Sequence, residues 1–493
     1  MRETQRTYAV LLCMLVSVFL HAQTGQYEQM VSLLNEQSLP LVNLEVDIKA
    51  VNRTNYVPGT IEIADYQRRT EEDSLTVRFL CMLKYRGESA LKYEKKSFAV
   101  KLIDATGEDL DANIFGIRQE NSWILDAMAI DRVRMRNRLC FDVWNDMSCT
   151  PYDTKTNNRN GTEGVFVEVF VNGEYNGLYC MTDKIDRKLL GLKKAKSGDD
   201  GDVMIRGLLY KGIGWGNGWS LRSYNADAAT DKVTWNAWEL QYPDDYPSIA
   251  TWQPLMDLMD FCSNKTTDDE FVQSYKDWFY PDNLADYVIF TLALNVGDNL
   301  YKNTFLSTVD ITQGHRYMIL PWDMDMSLGG NYDGKYNEEL SIVGQYNHRA
   351  PFNRLIGRNV DGFADKLTDT WKAYYTSLFA PENIGHRLDN YAAMFSKSGA
   401  WEREFSKWNG NPVPLKEHLS EETDFVKTWY ARNYESLCEQ FGTPLVSTDI
   451  VNPGVTPIRK GVYTLDGRKV VDGNTSRLSK GLYIVDGRKV LIR

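Results

Sequence analysis

VNLEVDIKAV (42–51), GTIEIADY (59–66), LTVRFLCMLKY (75–85) and SFAVKLI (97–103) alternate apolar and polar residues along the first quarter of the chain. That period belongs to a strand, whose successive side chains point to opposite faces of a sheet. Several such segments in succession predict a mainly antiparallel sheet between Leu41 and Leu102. Further on, GVFVEVFVNGEYNGLYCMTDKI (164–185) reads as two strands around Asn172-Gly173, the dipeptide favoured in tight hairpin turns. Between these regions, Asp131 to Met147 reads as a helix. Asp131 is its candidate cap, and Val133, Leu139, Phe141, Val143 and Trp144 form its apolar face.

Beyond the hairpin the pattern changes. Residues 247–310 look helical, including PDNLADYVIFTLALNVGDNLYKN (281–303), and residues 350–441 are amphipathic helices such as ADKLTDTWKAYYTSLF (364–379). HRYMILPWDMDMSLGG (315–330) returns to a strand followed by a loop. Strands first and helices later, without regular βαβ alternation, predict an α+β body. Residues 196–246, with the Gly- and Trp-rich KGIGWGNGWS (211–220), have no clear period and read as an insertion or loop. After a linker-like VSTDIVNPGVTP (446–457), GVYTLDGRKV (461–470) is echoed by GLYIVDGRKV (481–490), which predicts a small all-β appendage over about 455–493.

The N-terminus has the form of a cleavable secretory signal over residues 1–22. Arg2 and Arg6 precede the apolar run AVLLCMLVSVFL (9–20), which is too short to span a bilayer. The expectation is therefore a secreted, periplasmic or outer-membrane-surface protein with no transmembrane segment in the mature chain. The net charge of −11 and the lack of a Lys/Arg block argue against a nucleic-acid partner. The cysteines show no CxxC pair and the five histidines no HExxH spacing, so a zinc site is not expected. Disulfides are compatible with export, and so are buried thiols.

The chemistry-bearing residues cluster late in the chain. In NVGDNLYKN (295–303), Asp298 and Asn303 have the spacing of a phosphoryl-transfer catalytic loop, where an Asp orients the acceptor hydroxyl and an Asn holds a metal. The apolar segment MILPW then delivers Asp323, Asp325 and Gly329-Gly330, a fitting place for Mg²⁺. Turn or cap residues would look the same. Upstream, Arg86 opens RGESALKYEKKSFAVKL (86–102). Its Lys101 lies on a strand as does the nucleotide-pairing lysine of kinases, but no GxGxxG loop accompanies it. Lys95, Lys96 and Lys101 could equally be solvated strand residues.

Taken in order, RGESALKYEKKSFAVKL, WILDAMAIDRVRMRNRL (123–139), NGEYNGLYCMTDKID (172–186), NVGDNLYKN and LPWDMDMSLGG (320–330) resemble the spore-coat CotH family of atypical secreted protein kinases, over about residues 41–441. The resemblance implies a two-lobed kinase-like fold. A β-rich lobe would cover about 41–190 and a mainly helical lobe about 247–441. It implies ATP and Mg²⁺ or Mn²⁺ as cofactors and Ser/Thr of exported or surface proteins as substrate. By position, Asp298 would be the catalytic-loop Asp and Asn303 its metal partner. Asp323 would be the metal-binding Asp, with Asp325 the competing choice. Lys95, Lys96 or Lys101 would hold phosphates, and Arg86 would help close the nucleotide site. Arg136 and Asn137 lie on the helix that looks like the small-lobe regulatory helix. Asp183 stands where the family often has Glu at the lobe junction, which puts adenosine binding in doubt. The tail resembles sorting-type β tails of exported proteins. Two other functions fit the same residues. One is a non-catalytic surface or coat protein binding glycans or proteins through Trp215 and Trp219. The other is a different nucleotide-dependent transfer, such as nucleotidylation or glutamylation.

Overall fold

The computed structural model describes residues 25–445, except 71–73, 198–202, Trp215, Asn217, Asn264 and Tyr301, together with four short strands of the tail. The expected signal segment and Trp215 lie outside the described residues. The fold is mixed α+β, as the order of elements predicts.

After a short helix α1 (Gln26–Ser32), the chain builds a closed barrel. Its strands are β1 (Leu41–Val46), β2 (Val57–Ala64), β3 (Thr76–Arg86), β4 (Ser97–Ile103), β7 (Ser122–Asp126), β8 (Gly164–Val171) and β9 (Glu174–Thr182). A two-stranded ribbon, β5 (Ala112–Asn113) and β6 (Gln119–Glu120), sits between β4 and β7. The order is β1-β2-β3-β4-β7-β9-β8. All neighbours are antiparallel except β1 and β8, whose parallel pairing (Leu41 opposite Glu168) closes the ring and leaves no open edge. Alternation does the work expected of it. Leu44, Ile61, Phe98, Val100, Leu125 and Val167 fill the interior. Ser97, Ala99, Lys101, Ile124 and Asp126 occupy the alternate positions of β4 and β7. The Asn172-Gly173 turn joins β8 to β9, with both residues at positive φ (52° and 80°) as a hairpin turn of this kind requires.

The helix α2 (Arg136–Met147) starts later than Asp131, because Met128 and Arg134 adopt positive φ and keep the lead-in irregular. Asp131 still serves its N-terminus: its carboxylate accepts the N–H groups of Met135 (2.8 Å) and Arg136 (2.7 Å). Apolar residues of α2 belong to a second, larger core shared with the helical part of the chain.

The stretch read as an insertion or loop is partly sheet. A two-stranded ribbon, β10 (Lys196–Ser197) and β11 (Val203–Met204), leads into β12 (Leu208–Gly212). β13 (Thr234–Trp235) and β14 (Trp238–Tyr242) follow. With β15 (Thr304–Thr308) and β16 (Met318–Pro321) they form a five-stranded antiparallel sheet of order β13-β14-β12-β15-β16. The period was hidden because β12 and β14 are short and a Gly-rich segment separates them. The partner of β12 on its other side, β15, lies far along the chain, inside a region that otherwise reads as helical. The helices α3 (Ile249–Cys262), α4 (Asp268–Trp278) and α5 (Pro281–Leu294) follow β14. The short α6 (Phe352–Leu355) comes before α7 (Phe363–Tyr374), α8 (Pro381–Lys397), α9 (Ala400–Trp408) and α10 (Leu419–Gln440). No helix among the described residues is long and apolar enough to cross a membrane. The tail strands β17 (Val462–Thr464), β18 (Lys469–Val471), β19 (Gly481–Val485) and β20 (Arg488–Ile492) form one four-stranded antiparallel sheet, so the two echoed segments are two hairpins.

Candidate functional site

A small cleft opens between the barrel, α2 and the turn that carries Trp322 and Asp323. Arg86 from the end of β3, Ile124 and Asp126 from β7, and Thr182 from β9 line its barrel side. Asn137 and Phe141 of α2 form one wall, and Trp322 and Asp323 form the floor. Asp126 was not singled out in the sequence, since nothing local marks it, and Asn137 was noted there only as part of the helix that looks like the small-lobe regulatory helix.

Between α5 and β15, Asn299 and Asn303 are tied to neighbouring elements. The Asn303 N–H donates to the Gly212 carbonyl of β12 (3.0 Å). The Asn299 side chain donates to the Trp322 carbonyl (2.8 Å) and accepts the Trp322 N–H (3.2 Å). Arg349, only 2% exposed, donates to the Asn299 carbonyl (2.9 Å), and its guanidinium lies 4.1 Å from the centre of the Trp219 ring. Trp219 is thereby 3% exposed and is not available to stack on a sugar.

This scaffold brings Asp298, Asn303 and Asp323 together. The Asn303 amide donates to Asp298 (3.0 Å) and to Asp323 (3.2 Å), and Lys302 pairs with Asp298 at 3.1 Å. Asn303 and Asp323 both hold positive φ (54° and 56°), a region that Asn and Asp tolerate better than most residues. The Asp323 turn is further fixed by α2. Asn137 accepts the Met324 N–H (3.1 Å) and donates to Asp126 (3.0 Å), so one side chain couples the barrel strand to the acidic turn. The Cys140 thiol meets the Ser327 hydroxyl at 3.2 Å in the same turn.

The charges are crowded. Burial raises the Asp298 carboxyl above its ordinary range and Asp323 adds to it, while Lys302 and Asn303 pull the other way. Burial, then Asp323, Asp126, Asp298 and Asp131, push the Asp325 carboxyl well above its ordinary range. Against these acids stand Arg86 and Lys211, whose charged groups lie 5.7 and 5.9 Å from the centre of the Trp322 ring. Lys211 is on β12, inside the Gly- and Trp-rich stretch. Burial lowers its ammonium below the usual lysine range, opposed by Asp323. A single Lys beside glycines gives no local signal, and no sequence pattern could have found it.

The other expected cations lie elsewhere. Lys95 is fully buried, where its ammonium meets Glu404 of α9 at 2.6 Å and the Leu178 carbonyl at 2.7 Å. The Lys96 ammonium is held by the Leu91 and Tyr93 carbonyls. Lys101 is further along β4 than the cleft and pairs with Asp109 at 2.7 Å. Asp183 follows the cleft residue Thr182 but is wholly buried. Arg118 (2.6 Å), Arg159 (2.7 Å) and the Glu163 N–H (2.9 Å) engage both its oxygens. Cys140, Cys180, Cys262 and Cys438 are buried thiols.

The donor set at the floor is all oxygen: the Asp298, Asp323 and Asp325 carboxylates and the Asn303 amide. That chemistry suits Mg²⁺ or Mn²⁺ rather than zinc. Among the described residues no three His, Cys, Asp or Glu side chains group to hold an ion by themselves. A Mg²⁺ or Mn²⁺ site can also draw oxygens from an amide carbonyl, water and bound phosphates.

The family model for CotH kinase proteins matches residues 83–437, from the third barrel strand to the last long helix. The match covers most of the chain, and the chain belongs to this family. No curated protein matches it.

Proposed function

We propose that this member of the CotH kinase family is an exported, two-lobed, ATP- and Mg²⁺- or Mn²⁺-dependent kinase acting on Ser or Thr of exported or surface proteins. One observation carries the reading. Asn303 is joined to Asp298 by one hydrogen bond and by another to Asp323, which lines the cleft, as would suit the acceptor-orienting and metal-holding roles of a phosphoryl-transfer site.

In this reading Asp298 accepts the proton of the acceptor hydroxyl, whose oxygen attacks the γ-phosphorus while the bond to the ADP oxygen breaks. Asn303 and Asp323 would hold the metal ion, with Asp325 as the competing ligand. The ion supplies charge neutralisation on the phosphate oxygens. Lys302 pairs with Asp298 and opposes the rise that burial imposes on its carboxyl. Arg349 and Asn299 keep the 297–303 segment in place. Most of the catalytic effect in such a site is positioning and electrostatics, and rigid anchoring of this segment serves both. The N-terminal apolar run supports export.

A thermal melt with ATP and Mg²⁺ or Mn²⁺ tests the nucleotide site, and transfer of γ-phosphate to protein, read by mass, tests the reaction. Metal-dependent stabilisation by ATP that is absent in Asp323→Ala is expected. No stabilisation at millimolar nucleotide would sink the reading. A nucleotidyl or glutamyl mass increment would replace it with another transferase.

A further inference from the structure

Of the lysines and arginines around the cleft, most already have partners. Lys302 is paired with Asp298, and Lys95, Lys96 and Lys101 are engaged with Glu404, backbone carbonyls and Asp109. Lys211 differs. Its ammonium makes no hydrogen bond or ion pair among the described residues, although Glu239 stands directly across on β14.

Its place is fixed by the backbone. Lys211 pairs with Phe305 in the β12–β15 register, so both side chains leave the same face of the sheet. The Phe305 ring packs on Trp322 at 5.4 Å, and the Lys211 ammonium lies over that same indole at 5.9 Å. The next residue, Gly212, accepts the Asn303 N–H. A Cβ at Gly212 would come within 2.6 Å of Trp219, so this close approach depends on glycine. The strand that carries Lys211 is thus bolted to the segment that carries Asn303, and the lysine cannot move independently of it. Arg86 reaches the same indole from the barrel. Arg86 lines the cleft and Lys211 stands over the indole that lines it, next to an acidic set that would otherwise repel an anion.

We infer that Lys211 is the residue that recognises the terminal phosphates of the bound nucleotide, in partnership with Arg86. The inference rests on the kinase reading above and sharpens it. The phosphate-holding lysine comes from the five-stranded sheet through β12, not from the barrel strands. An unpaired, partly desolvated ammonium gains a charge-assisted hydrogen bond on meeting a phosphate oxygen, and Coulomb attraction there is stronger than in water. It makes no contact with a nucleoside, so its effect belongs to the phosphates alone.

Calorimetric titration of the intact protein with ATP, ADP and adenosine, each with Mg²⁺, tests this. The wild type should bind ATP more tightly than adenosine. Lys211→Met should weaken ATP by about 10- to 100-fold, the range for a hydrogen bond between charged groups. It should leave adenosine unchanged, and Lys211→Arg should recover part of the loss. Because the ammonium makes no hydrogen bond or ion pair among the described residues and lies only over the Trp322 ring, melting without nucleotide should fall little in Lys211→Met. Lys211→Gln serves as a second variant should the methionine variant misfold. Wild-type ATP affinity in Lys211→Met would overturn the inference and leave the kinase reading standing. Equal weakening of ATP and adenosine, or a large drop in melting without nucleotide, would make Lys211 structural and overturn it too. A wild type that binds no nucleotide would overturn the kinase reading and this inference with it.

Discussion

Two clusters of basic and acidic side chains sit in this molecule, and they are built in opposite ways. At the seam between β9 and α9, Lys95, Arg134 and Glu404 are all 0% exposed by side chain. The Glu404 carboxylate takes Lys95 at 2.6 Å and Arg134 at 2.7 Å, and it accepts the Leu178 N–H at 2.7 Å. Gly177, at φ +123°, lets this cluster close, since a Cβ there would stand 2.7 Å from the Glu404 carboxylate and from the Trp408 ring nitrogen. At the cleft, Arg86 and Lys211 stand over Trp322 while Asp323 and Asp325 crowd one another. The first cluster joins both cations to one carboxylate and closes off from water. The second leaves like charges together and a cation unpaired. Both clusters mix basic and acidic side chains; what differs is whether the cations make ion pairs with the acids. A buried cluster that completes itself locks the barrel to the helices. One left incomplete is arranged for something that arrives from solution.

The comparison predicts that changes in the first cluster affect stability and changes in the second affect binding. The largest expected effect is at Glu404. Glu404→Leu leaves Lys95 and Arg134 buried without their acid and should cost about 3–5 kcal/mol in urea unfolding. ATP affinity of the remaining folded protein should hold. If nucleotide affinity collapsed at full stability, the contrast would be broken. Next is Asp323→Ala, which should lower phosphoryl transfer by at least about 10³-fold, since bound metal contributes several kcal/mol to such steps. Its urea midpoint should stay level or rise, because one of several crowded carboxylates is gone. The Lys211→Met effect on ATP, about 10- to 100-fold, comes third.

A smaller effect separates the partners within the first cluster. Burial, with Arg134 adding to it, lowers the Lys95 ammonium to about 7 against the pull of Glu404. Lys95→Met should therefore cost only about 1 kcal/mol, the worth of its hydrogen bond to Leu178, since Arg134 and Glu404 remain as a matched pair. A loss as large as that of Glu404→Leu would show that Arg134 alone does not satisfy the acid. The pH dependence follows from Glu404. Burial alone would raise its carboxyl, but Lys95 and Arg134 hold it below the ordinary glutamate range. A carboxyl lowered on folding contributes stability that is complete above its unfolded value and is lost as pH falls through the folded one. Wild-type urea midpoints should therefore decline more steeply than those of Glu404→Gln below the ordinary glutamate range. Parallel curves would place the acid sensitivity elsewhere.

Much of this was legible along the chain. Alternation marked the barrel strands β2 to β4, whose interior residues recur at every second position, although β8 and β9 are buried on both faces against the helices. Asn172-Gly173 marked the hairpin, because few other residues accept two positive φ values. Asp298 and Asn303 were legible by spacing, since both sit on one short segment, and the apolar strand before Asp323 pointed at the turn. The cations were not. Lys95 and Lys101 attracted attention by lying on or beside a barrel strand, yet the counter-charges that engage them, Glu404 and Asp109, carry no mark in the sequence that says so. Asp126 and Asn137 entered the cleft only through the packing of α2 against the Asp323 turn.

By itself, then, the order of residues determined what is local: which segments are strands or helices, where the tight turn falls, and which Asp and Asn share a loop. Tertiary structure alone decided which strand stands beside that loop, and hence that β12, from a stretch with no readable period, carries Lys211 to the floor of the cleft. The physical reason is range. Backbone preference and side-chain period act over a few residues, whereas the pairing of residue 211 with residue 305, or of residue 95 with residue 404, is settled by sheet register and burial across the whole fold.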